Sequence, residues 1–198
     1  VRDAARNRVG IIQPQDLVGA TMVIRFNNTG SWSLRLPYNH RMGEFLRLPG
    51  YGIVVTGPNT EALISGPTLT AKLEQTSNNT EGTWQIEGAS DDIILSERLA
   101  YPTPTTADVT AQTDSNDVRT GPAETVLKNY LSANIGPTAA AVREITYLTI
   151  EADTARGSTV TGTARFSTLQ GLFYDLAQVG GIGYRITQSN DSILFSVY

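Results

Sequence analysis

The sequence predicts a β-rich α+β fold: an antiparallel β-barrel domain followed by a small α+β module with two helices packed on an antiparallel sheet. Three observations predict it. Apolar and polar residues alternate with period two through much of residues 1–100. Two capped segments in residues 118–198 carry apolar residues at helical spacing. Between them, "YPTPTTADVTAQTDSND" is polar and rich in Pro and Thr, and reads as a linker or long loop over 101–117.

The first element is a hairpin. "TMVIRF" places Met22, Ile24 and Phe26 on one face, and "WSLRLP" places Trp32, Leu34 and Leu36 likewise. "NNTGS" between them tolerates positive φ. Pairing Phe26 with Trp32 and Ile24 with Leu34 keeps both apolar faces together, because a one-residue slip would expose them all. Arg25 and Arg35 then share the opposite face, as solvated arginines or as a polar wall toward a partner or channel. A strand follows over 53–56. A second long hairpin turns around Asn78, Asn79 and Gly82, with Leu69, Ala71 and Leu73 facing inward beside Trp84 and Ile86. "DDIILSERL" is a short helix or a strand end. Residues 11–99 form an antiparallel sheet, most economically closed as a small barrel that removes its edges.

"DVRTGPAETVLKNYLSANIGP", residues 117–137, gives the first helix. Pro122 suits its first position, Thr120 or Gly121 its cap, and Glu124 its positive dipole end. Ala123, Val126, Leu127, Tyr130 and Leu131 form one buried stripe. Gly136-Pro137 stops it. Strands follow at "EITYLTIEA" and "STVTGTARF". A second helix begins at Ser167 with Gln170 in a capping box, carries the stripe Leu169, Leu172, Phe173, Leu176 and Ala177, and ends at Gly180-Gly181. A final hairpin points Tyr184, Ile186, Ile193, Phe195 and Val197 inward across a turn at Ser189-Asn190-Asp191.

Composition narrows the function. The 198 residues are 40% hydrophobic and 17% charged, with a formal net charge of −4. So low a charge content suits faces covered by neighbours. The acidic balance argues against gripping nucleic acid, so no specific nucleic-acid binding is expected. There is no cysteine, hence neither disulfide nor thiolate metal site. No apolar run approaches the ~20 residues that span a bilayer. The start lacks a signal-peptide core and an initiator methionine, and "SILFSVY" stops inside a strand pattern, which suggests part of a longer chain.

Chemistry-bearing motifs are scarce. His40 is the only histidine; it lies in a turn, and no G-x-S-x-G elbow accompanies it. "GGIGYR" leaves a helix and enters a strand, the reverse of a dinucleotide loop. "TDSND" lacks the glycine and glutamate of a calcium loop. Asp91-Asp92 reads as a solvated turn rather than an acid pair. The sequons at Asn27, Asn78 and Asn190 follow from Asn-rich turns. Arg119, at the helix start, would hold an anion or pair with the linker acids. No catalytic, cofactor or metal residues are therefore expected.

"FNNTGSWSLRLP", "GYGIVV", "GASDDIILSERLAYP", "DVRTGPAETVLKNYLSANIGP" and "ADTARGSTVTGTARFSTLQGLFYDLA" together resemble the minor tail proteins of siphophages of actinobacteria. The likeness runs over residues 16–198 and is most specific at "VRTGPAETVLKNY" and "RGSTVTGTARF". The family is similar to the tail-tip baseplate hubs of contractile phages and the spike-base proteins of type VI secretion. The resemblance implies a homotrimeric ring in the virion, assembled in the host cytoplasm, that caps the tail tube and lets DNA pass. It also implies the distal tail protein, the tape-measure protein and other tip proteins as partners. Within that picture the helix stripe packs on its own sheet, while Arg119, Glu124, Lys128, Asn129 and Ser132, with Arg25 and Arg35, face neighbouring subunits. Two other classes compete: an accessory or substrate-binding portion of a cell-wall hydrolase, and a carbohydrate-binding β module using Trp32, Trp84, Tyr38 and Tyr51 as platforms.

Overall fold

The computed structural model describes residues 1–59, 61–76 and 79–198. The chain forms two compact units: residues 1–25, 29–92 and 187–192 make the first, and residues 26–28, 93–186 and 193–198 the second. Both contain strands and helices, so the β-rich α+β class holds.

The first unit carries β1 (Gly19–Val23), β2 (Ser31–Pro37), α1 (Arg41–Leu46), β3 (Gly52–Thr56), β4 (Ala62–Thr76) and β5 (Asn79–Ala89). They form one five-stranded antiparallel sheet in the order β1-β2-β5-β4-β3, curled into a half-barrel. The alternation predicted for β2 and β5 is realised. Trp32, Leu34, Leu36, Trp84 and Ile86 all point inward, onto Met42 and Leu46 of α1, Ile53 of β3 and Ile64 of β4. Each tryptophan spends its indole N–H on a backbone carbonyl, Trp32 on Ala89 and Trp84 on Tyr38. Both are core residues and offer no sugar platform.

The first hairpin differs from expectation in register. Met22, not Phe26, lies opposite Trp32, and Ala20, not Ile24, opposite Leu34. The slip is even-numbered, so the faces are preserved. The longer connection has a cause. Asn27 takes a left-handed φ of 52° and is fully buried in the second unit, where its amide donates to the Ile182 carbonyl and accepts from the Tyr184 N–H. An asparagine so engaged cannot also be the corner of a tight hairpin.

Leu69 and Leu73 also depart from expectation: they are 58% and 48% exposed. The ladder is irregular between Thr68 and Thr70, and of this trio only Ala71 packs on the core. Asn78, expected at the tip of this hairpin, lies outside the described residues. Sheet closure is incomplete, since β1 and β3 remain at the two ends of the strand order.

Asp91 and Asp92 do not form a solvated turn. Both are buried, Asp91 against Arg2. The Arg2 guanidinium donates from Nη2 to Oδ1 at 2.5 Å and from Nη1 to Oδ2 at 2.9 Å, and Ser65 Oγ donates to Oδ2 at 2.5 Å. Arg2 Nη1 also donates to the Gln188 side-chain oxygen. Backbone bonds between Arg2 and Gly52 tie the chain start to β3. His40, half-buried, caps α1 by accepting the Met42 N–H, with Nε2 3.6 Å from Asp16.

The second unit contains α2 (Ile93–Ser96), β6 (Leu99–Ala100), β7 (Asp117–Pro122), α3 (Ala123–Asn134), β8 (Leu148–Ile150), β9 (Thr159–Ala164), β10 (Ser167–Thr168), α4 (Leu169–Gly180), β11 (Tyr184–Ser189) and β12 (Ser192–Val197), with the tip of the last pair grouping with the first unit. "DDIILSERL" is thus a short helix. Both predicted helical stripes are buried together in one core with the inward residues of β11 and β12.

Three local readings are corrected. "DVRTGP" is strand β7, paired antiparallel with β9, and Pro122 caps α3 from outside it. Thr168, not Ser167, caps α4 by accepting the Gly171 N–H; Gln170 donates to Tyr184 Oη and to the Asn27 carbonyl instead of closing a capping box. The sheet β11-β12-β8 is mixed, because β8 pairs parallel to β12. Residues 101–117 are tied into this unit. Asn134 Oδ1 accepts the Tyr101 N–H, and Arg143 donates to the Pro104 and Thr106 carbonyls with its guanidinium 4.0 Å above the Tyr101 ring.

α3 and α4 touch closely at Gly180, where an added Cβ would lie 2.2 Å from that of Ala123. Gly181 then ends α4 in the left-handed region at φ 67°. Gly180→Ala is expected to force the helices apart and cost about 1–3 kcal/mol, read as a lowered urea midpoint. An unchanged midpoint would mean that the contact is slack.

Candidate functional site

Among the described residues, no group of three or more His, Asp or Glu side chains is placed to hold a metal ion. The polar features concentrate instead at the start of α3, where most of the expected interface residues lie.

Glu124 is the centre of that cluster. It is fully buried, in the first turn of α3. Lys128, one turn on, donates to Oε1 at 2.5 Å, and Arg156 donates from Nε to Oε2 at 3.0 Å and from Nη2 to Oε1 at 3.1 Å. The Arg156 N–H and Thr154 Oγ1 complete the shell around Oε2. Lys128 also donates to the Ala152 carbonyl, and Glu151 takes the outer side of Arg156 at 3.1 Å. Burial on its own raises the Glu124 carboxyl, but the bonds from Arg156 foremost, then from Lys128, hold it far below the usual carboxylate range. The same pair raises the Arg156 guanidinium. The side chains of Glu124 and Lys128, expected at a subunit contact, are thus buried and paired within the chain itself. The Glu124–Lys128 spacing was readable as an i,i+4 pair. Arg156, Thr154 and Glu151 carried no sequence signal, because the chain must fold to bring them there.

Arg119 holds no anion at the helix start. The Ala123 and Glu124 N–H groups are already taken by the Ser158 and Arg156 carbonyls. Arg119 pairs with Asp117 at 2.9 Å, donates to the Asn129 carbonyl, and lies 4.9 Å above the Tyr130 ring. Tyr130 donates its hydroxyl to the Asp117 carbonyl; burial, then the Asp117 charge, pushes it up to about 12. It stays a neutral donor at any physiological pH. Asn129 is exposed and Ser132 half-buried, sharing a hydroxyl contact with Thr138. Arg25 and Arg35 are exposed on the first unit.

The described surface carries large apolar side chains at several places: Ile24 (65%), Phe26 (58%), Val142 (78%) and Val179 (71%). An open groove of about 1050 Å³ in the first unit runs beside β3 and includes Ile11, Leu17, Met22, Ile53 and Val55. These are contact features rather than reactive ones.

Two solved structures are similar in fold. Prophage tail protein gp18 from Listeria monocytogenes EGD-e is 10% identical, matched over 98% of this chain and 48% of that one, with a TM-score of 0.46. The 43 kDa tail protein of prophage MuSo2 from Shewanella oneidensis is 11% identical, over 85% of this chain and 46% of that one, with a TM-score of 0.40. The chain spans about half the length of either. Comparison with curated proteins gave no match. The model of the family described as Siphovirus ReqiPepy6 Gp37-like protein matches residues 1–198, the whole chain, and the protein belongs to that family.

Proposed function

We propose that the protein is a subunit of the tail tip, where three copies form a hub ring that caps the tail tube and passes DNA. The distal tail protein, the tape-measure protein and other tip components would be its neighbours during attachment and delivery. The observation that carries the reading is the division of its side chains. The best-connected buried ionic groups, Arg2–Asp91 and the Glu124 cluster, serve the subunit's own fold, while large apolar side chains remain outside. A subunit built this way is finished within and unfinished on its surface.

Of the residues expected at subunit contacts, Arg25, Arg35 and Asn129 keep exposed side chains, and Arg119 and Ser132 lie beside Asn129 on β7 and α3. Charge reversal at Arg35 together with Asn129→Glu is expected to weaken self-association about tenfold or more, with thermal stability nearly unchanged. Sedimentation across a concentration series reads this; equal association by variant and parent would exclude those residues. Gold-labelled antibody on intact virions, with native mass spectrometry of the pure protein, tests the reading as a whole. Label at the end of the tail away from the head, and a mass of three subunits, are expected. Label along the tube or on the head would overturn it.

A further inference from the structure

β1 is an unfinished strand. It pairs with β2 on one side and, among the described residues, with nothing on the other. From Ala20 to Val23 it is exposed on both faces, and the apolar run continues into Ile24. Its ladder has no irregularity, and it contains no charge and no proline. Those are the devices by which edge strands are normally kept from pairing.

β3 is the opposite edge of the same sheet. Among the described residues its outer side makes a backbone bridge only at Gly52, to Arg2, and Val54, Val55 and Thr56 form a wall of the groove. It too lacks charge and proline. The two edges also match in pattern. In β1, Met22 points to the core side, opposite Trp32, with Thr21 and Val23 outward; in β3, Ile53 and Val55 pack toward the core with Val54 between them.

We infer that β1 of one copy pairs along the edge of β3 in a second copy. This rests on the reading of the chain as a self-associating tail subunit and names the contact. A second copy is the favoured occupant, because one chain carries both edges, equal in length and alike in being uncharged. Head-to-tail pairing then satisfies both with a single contact, and repetition closes into a ring where the rotation allows. The backbone groups give the attachment and the alternating side chains its register.

The chain has no cysteine, which makes the test clean. Copies carrying Thr21→Cys are mixed with copies carrying Val54→Cys, and Met22→Cys with Val55→Cys, so that both faces are sampled; all are oxidised mildly. Cross-linked pairs are expected in at least one mixture and in no single variant. Met22→Asp should independently weaken association about tenfold or more. No link in either mixture, or linking by Thr21→Cys alone, which would mean β1 against β1, overturns the inference. The virion labelling answers separately: label at the tail tip with no link removes only this contact, and links with label elsewhere remove only the tail-tip assignment.

Discussion

Asp91→Ala is expected to destabilise the first unit by about 3–5 kcal/mol, because it strands the buried Arg2 guanidinium without its counter-ion. Arg2 and Asp91 are 4% and 6% exposed, so water cannot replace the lost carboxylate. The substitution also leaves Ser65 Oγ, buried, without its acceptor. A loss of that size lowers Tm by about 6–20 °C in a chain of this length. The control is the double variant Arg2→Met with Asp91→Leu. Removing both charges avoids the uncompensated one and is expected to be milder than Asp91→Ala alone. A single variant within about 1 kcal/mol of the parent in urea titration would show that Arg2 swings out to solvent, and that the chain start is not part of this fold.

That pair also marks where sequence reading stops. β2, β5, α3 and α4 were legible because each buries one face, and burial writes a period of two or of 3.6 into the residues. Trp32, Leu34 and Leu36 could hardly have been placed otherwise. β1 is legible but its register is not, since that depends on Asn27, whose partners Ile182 and Tyr184 stand far along the chain. β7 reads as a helix cap in the sequence because "VRTGP" buries little and leaves no periodic trace. Arg2 with Asp91, and Glu124 with Arg156, are contacts across long sequence separations between residues that read singly as surface charges. Charge looks solvated in a sequence; only the fold shows which charges are enclosed. The same gap hides which apolar side chains are exposed. An uncovered strand reads like a covered one, and "TMVIRF" gave no hint that Met22 and Ile24 stay outside.

Glu124→Ala carries the second large expected effect, and pH separates its parts. The variant leaves buried Lys128, at 5% exposure, without its carboxylate and frees the Thr154 hydroxyl and the Arg156 N–H together. About 3–5 kcal/mol is expected to be lost at pH 7. The folded carboxyl is held far below its ordinary value near 4.5. A depressed folded pKa means that the unfolded chain binds the proton first as pH falls. The stabilisation from Glu124 is therefore complete above that ordinary value and drains away as the medium becomes more acid. The parent should lose stability from about pH 5 downward, and the Ala variant should lose less over the same range, so the gap between them narrows from pH 7 to pH 3. Urea midpoints at the two pH values read it directly. A gap that stays constant would mean that Glu124 acts through packing and not through its charge, and the ionic account of the α3 start would fail. If the gap narrows as expected, the segment around Arg156 is fastened to α3 electrostatically.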